Sequence, residues 1–185
     1  LHQIWLKKIT PTGLSLSIRD YTNLAGELAI KAPNLSKFII ETQVKNITNP
    51  DRKKRFEFIS PSLSADVKVR DAFFQSLHFS KNREVESWVG AALGYLHHPL
   101  RLNTSEKYLL KSLELLEEIQ VTGDIFFPGR WLDQSLKNYQ SKTTIITIQE
   151  FLKSRPDYNT QLTMKILQSA DMVFRANAIL DRPSS

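Results

Sequence analysis

The chain of 185 residues has the length of one moderate domain and enough material to bury a core. Its 41% hydrophobic and 24% charged residues exclude a disordered or fibrous class, the lack of cysteine excludes disulfides and thiolate metal sites, and no apolar run approaches the ~20 residues that span a bilayer. The net charge of +6 raises a nucleic-acid hypothesis, but only Arg52-Lys53-Lys54-Arg55 is densely basic, Asp51 and Glu57 flank it, and charges interleave elsewhere, so no nucleic-acid partner is expected.

Residues 1–18 read as an extended arm or short edge strand: Thr10-Pro11-Thr12-Gly13 marks a turn, and Leu14, Leu16 and Ile18 alternate. No signal-peptide pattern follows Leu1, so the chain reads as beginning inside a gene product or after processing, and both cytoplasm and periplasm are compatible with it. From Arg19 the period becomes helical, with Tyr21, Leu24 and Leu28 on one face and a stop at Ala32-Pro33. Leu35, Phe38, Ile39 and Thr42 give the next inner stripe, which fades from Asn46 to Thr48. Asn49-Pro50 then caps and starts a helix carrying the basic run and ending by Ser60-Pro61.

Ser64 is placed to cap a helix with Ala65, Val69, Ala72, Phe73 and Leu77 inward, and another begins near Ser80 with Val85, Trp88, Val89, Ala92 and Leu96 on one face. Gly90 and Gly94 form a small-residue patch on that helix, allowing a neighbour close approach. Beyond Pro99, Asn103 and Glu106 have capping-box spacing, Leu109, Leu113 and either Leu116 or Ile119 form an inner stripe, and Gly123 supplies a left-handed end. The aromatic connection Ile125 to Leu136 follows, with Pro128-Gly129 expected to reverse the chain and Trp131, Leu132, Leu136 and Tyr139 starting a short helix. Thr144 to Lys153 and Asn159 to Leu180 complete the series, the last with Leu162, Ile166, Ala170, Val173 and Phe174 inward.

The expectation is an all-α fold of about nine helices in antiparallel pairs, an irregular HEAT-like or armadillo-like α-solenoid, with residues 19–185 as a single domain. Catalytic signatures are missing: there is no H-E-x-x-H, no G-x-S-x-G and no phosphate-binding glycine loop. His97 and His98 are sequence neighbours and cannot face one metal as an i, i+4 pair would, so they read as a helix-end pair near solvent. Glu114, Glu117 and Glu118 read as a solvated face. Arg130 beside Trp131 is the side chain best suited to hold a carboxylate bidentately.

The strings SADVKVRDAFFQSL, REVESWVGAALGYLHHPLR, GDIFFPGRWLDQSL and FLKSRPDYNTQLTMKILQSADMVFRA resemble the C-terminal helical region of bacterial zinc aminopeptidases of the aminopeptidase N type, from about Phe56 to Ala176. The resemblance implies a parent enzyme with an N-terminal β-sandwich, a thermolysin-like zinc domain and a C-terminal α-domain covering the active-site chamber. It implies no catalytic residue in this chain, because the family's zinc ligands, general base and G-x-M-E-N motif have no counterpart here, and it places zinc in the parent's catalytic domain. The α-domain's implied partners are the rest of that enzyme and a peptide substrate, with Arg130, Arg83 and Arg101 as candidates to meet the substrate's carboxylate. The competing expectation is a free-standing helical-repeat module that binds a protein or peptide.

Overall fold

Helix starts in this chain are written locally, and the computed structural model shows which signals are used. It describes residues 1–9 and 11–180, without the side chain of Leu180; Thr10 of the expected turn and residues 181–185 of the expected domain lie outside the described residues. Every regular element among the described residues is helical: α1 (His2–Trp5), α2 (Ile18–Lys31), α3 (Ser36–Asn46), α4 (Pro50–Leu63), α5 (Val67–Ser76), α6 (Glu86–Leu96), α7 (Leu102–Ser105), α8 (Leu109–Glu114), α9 (Leu116–Thr122), α10 (Phe127–Leu136), α11 (Lys142–Lys153) and α12 (Thr160–Leu180), with 3₁₀ turns between some of them. The all-helical class is therefore correct. The chain divides into two compact units, Leu1–Phe73 and Phe74 onward; the division falls inside α5, where no linker composition could announce it.

In the first unit, α2 is capped by a reciprocal box: the Asp20 amide donates to Ser17 Oγ, and the Ser17 amide donates to the Asp20 carboxylate at 2.8 Å. Asn49 caps α4 by accepting from the Arg52 amide at 3.0 Å, with Pro50 at the first helical position as expected. The opening segment departs from the expected arm. It carries one helical turn whose Trp5 is buried, its indole N–H donating to Gln43 Oε1 at 2.8 Å. Gln43 Nε2 in turn donates to Thr22 Oγ1 at 3.1 Å, so a glutamine belongs to the core of this unit.

That bond turns α3. Ser36, Ile39 and Gln43 face inward, whereas Leu35 and Phe38, expected inside, are exposed; Phe38 packs edge-on against Trp5. After Phe38, α4 runs through Pro61 to Leu63 instead of stopping, with the hydroxyl of Ser60 donating to the Phe56 carbonyl at 2.7 Å. The inner face of α5 is also rotated from expectation: Ala65, Val69 and Ala72 are exposed, and Arg70, Phe73, Phe74 and Leu77 are buried. Arg70 explains the rotation, because its guanidinium donates to the carbonyls of Ser64 and Ala65 at 2.7 and 3.0 Å and so cancels acceptors left by the end of α4.

In the second unit, α10 packs against α6, α8 and α12. Trp131 lies at the centre, fully buried, with its indole N–H donating to the Ser112 carbonyl at 3.1 Å. Leu109 and Leu113 are fully buried, as the periodicity predicts, together with both Leu116 and Ile119, as are Leu162, Ile166 and Ala170 of α12. The helix expected near Ser80 begins at Glu86, after a 3₁₀ turn over Ser80–Asn82.

Three local expectations fail for identifiable reasons. Pro128-Gly129 does not reverse the chain; it lies in the first turn of α10, where proline's fixed φ and missing N–H suit a helix start. Gly123 is extended, with φ −105°, and is required by crowding: a Cβ there would lie 2.7 Å from Phe127 Cδ1 and 3.0 Å from the Ile119 carbonyl oxygen. Glu106 forms no box with Asn103. Its carboxylate instead accepts from the hydroxyls of Ser141 and Thr144 at the start of α11, the latter at 2.8 Å.

Candidate functional site

The site suggested by the sequence centres on Arg130, and α10 places it one turn into the helix, about 100° around the axis from buried Trp131. Its guanidinium bridges two carboxylates, Glu86 at the start of α6 at 2.5 Å and Asp124 ahead of α10 at 2.6 Å. Glu86 also accepts from the Asp124 amide at 2.7 Å, and Asp124 accepts from the Phe126 amide at 2.7 Å, so the three side chains join the starts of two helices. The hydrogen bond from Arg130 is the main cause that holds the Asp124 carboxyl below its ordinary range, and the bond to Asp124 chiefly raises Arg130. Arg130 remains half exposed, with side-chain exposure of 51% against 16% for Glu86, so its outer edge faces water.

Arg83 is placed differently. It is buried, and its guanidinium donates to the Leu77 carbonyl, to Glu118 and, at 3.3 Å, to Thr122 Oγ1, which ties the segment before α6 to α9. Arg83 and Glu86 both line a hollow of about 370 Å³ with Lys81, Thr122 and Phe127. Arg101 is buried in the 3₁₀ turn Pro99–Arg101 and does not line that hollow. The three arginines are thus not convergent, and only Arg130 keeps an outward face.

Glu86 and Asp124 were not singled out by the sequence. The signal was available in the spacing of Asp124 before Pro128, which is that of an acid at a helix start, but the partner Glu86 is 38 residues away from Asp124 and only the packing of α6 on α10 unites them.

The histidine pair also differs from expectation. His97 is fully buried, shares a 2.8 Å hydrogen bond through Nδ1 with the Tyr139 hydroxyl, and its titration is pushed down to about 3 by burial away from water. His98 Nδ1 accepts from the Leu100 amide at 3.1 Å. Neither is placed to ligate a common ion, and among the described residues no three His, Asp or Glu side chains form a group that could hold a metal. The zinc that the resemblance assigns to a parent enzyme has no donor set among the described residues.

No described helix is long and apolar enough to cross a membrane. Compared with models of known families, with curated proteins and with solved structures, the chain matches none.

Proposed function

We propose that this chain is the C-terminal accessory domain of a zinc-dependent aminopeptidase of the aminopeptidase N type, with its helices stacked in antiparallel HEAT-like pairs and no catalytic group of its own. Its partners are the rest of the parent enzyme, which carries the zinc, and the peptide substrate. One observation carries the reading: three of the four strings that bear the resemblance fall on α6, α10 and α12, and α6 and α12 both pack on α10, so the likeness follows a structural block rather than scattered turns. In that role the domain limits access to the chamber and excludes water, and Arg130, already oriented by Glu86 and Asp124, is the group suited to the carboxylate of a peptide.

A second reading, a free-standing module that binds a peptide or protein, draws on the exposed Ile125, Phe126 and Met164 beside a hollow of about 700 Å³ between α9, α10 and α12. The two are separated by the coding sequence upstream of Leu1 and by an assay. The accessory reading expects H-E-x-x-H upstream, aminoacyl-anilide hydrolysis by the full product, and a raised KM with little change in kcat for Arg130→Gln in that product. Stoichiometric zinc and hydrolysis by the 185-residue chain alone would remove it.

A further inference from the structure

The positive charge of this protein is unevenly divided. The first unit holds twelve Lys and Arg against seven Asp and Glu, a net of +5, whereas the second holds thirteen against twelve, a net of +1. Within the first unit, Arg19 from the first turn of α2 and Arg52 and Arg55 from the first turns of α4 line one cavity of about 310 Å³, together with Thr22 and Asn23. Among the described residues, no acidic side chain lines it.

Five other described arginines contrast with these three. Arg83, Arg130, Arg155 and Arg175 each pair with a carboxylate, and Arg70 is spent on backbone carbonyls. Among the described residues, Arg19, Arg52 and Arg55 have no carboxylate within 4.0 Å. The acid adjacent to Arg19, Asp20, feels the charge of Arg19 but accepts its hydrogen bonds from the backbone amide and hydroxyl of Ser17, at 2.8 and 2.7 Å. Three guanidinium groups around one hollow repel each other unless an anion joins them.

We propose that this cavity is a binding site for the phosphoryl group of a small phosphorylated molecule. Guanidinium groups present planar forks that match phosphate oxygens bidentately, and three of them neutralise a dianion with one cation in excess. The basic run is split by helical spacing: Arg52 and Arg55, at i and i+3, line the cavity, while Lys53 and Lys54 do not. An extended nucleic-acid track would recruit the lysines as well, whereas a small surface hollow selects a compact ligand.

The test titrates the whole chain, in phosphate-free buffer at low salt, with inorganic phosphate, pyrophosphate, a sugar phosphate monoester and a short single-stranded oligonucleotide, followed by calorimetry and thermal shift. The expected result is one phosphoryl ligand per chain, weakened roughly tenfold or more by Arg52→Gln or Arg55→Gln, abolished by the triple Arg19→Gln, Arg52→Gln, Arg55→Gln variant, and only partly weakened by Arg52→Lys. These side chains lie at the surface, and an unchanged helical circular dichroism spectrum certifies the fold of each variant. Phosphate binding that the triple variant leaves intact overturns the proposal. So does an oligonucleotide that binds far more tightly than pyrophosphate and is lost equally when Lys53 and Lys54 are neutralised.

Discussion

His97 illustrates what burial does to a single ionisable side chain. Its ring packs edge-on to Tyr108 and Tyr139 with no exposure to water, and a positive charge there would have no carboxylate to answer it. In the unfolded chain the ring takes a proton near its ordinary 6.5, but in the fold only near 3, so between these values the unfolded state binds more protons and stability falls as pH is lowered. The slope approaches about 1.4 kcal/mol per pH unit from this residue alone. Urea midpoints for the parent and His97→Gln, measured from about pH 7 to about pH 4, should show the steeper decline in the parent; parallel curves would refute the assignment. Gln43 makes the matching case for a neutral group. Replacing it with Leu strands the Trp5 indole N–H and should cost about 1–3 kcal/mol, and the same change in a Trp5→Phe background should cost less, because the donor is already gone. Urea unfolding of the four-member cycle reads this coupling.

Among the elements, the close approaches decide which glycines are replaceable. Gly123 sits where α9 ends against Phe127 and Glu86, and an added Cβ meets the Ile119 carbonyl oxygen, an atom that cannot swing aside. Gly123→Ala should therefore destabilise by about 1–3 kcal/mol. Gly90, in the middle of α6 with nothing within 4 Å of a built Cβ, should do the reverse: Gly90→Ala gains about 0.5–1 kcal/mol by restricting the unfolded chain. Thermal unfolding of the two variants must shift in opposite directions. Gly94 is intermediate, since its neighbour at 3.0 Å is the end of the flexible Gln134 side chain. Helix starts at Ser17, Asn49, Ser141 and Asn159 are all made by the residue's own side chain accepting from the amide three positions on, which is why they are legible from a short window. Glu106 is not, because its carboxylate serves a helix that begins 35 residues later.

For the molecule as a whole, the concentration of charge in the first unit has a measurable consequence apart from any ligand. A localised cluster orients a protein on a charged surface more strongly than the same number of scattered charges. On a cation exchanger at neutral pH, neutralising Arg19, Arg52 and Arg55 should advance elution more than neutralising Lys137, Lys153 and Lys165, three lysines of the more balanced second unit. Equal advances would mean that net charge alone governs retention and that the arginines do not act as a cluster.

The sequence by itself determined that the chain is helical and where several helices begin, α2, α4 and α12 among them, since capping residues, prolines and leucine stripes act within a few positions of one another. It also determined that Trp131, Leu109 and Ile166 are core, because a strong apolar period admits no other face. Tertiary structure alone decided which face of α3 and α5 is inner, for a buried glutamine and a buried arginine outweigh apolar neighbours once their hydrogen bonds are satisfied. It alone decided that Glu86, Asp124 and Arg130 form one cluster and that Arg19 meets Arg52 and Arg55. Those associations join residues more than thirty positions apart, and no local period encodes a distance that only helix packing sets.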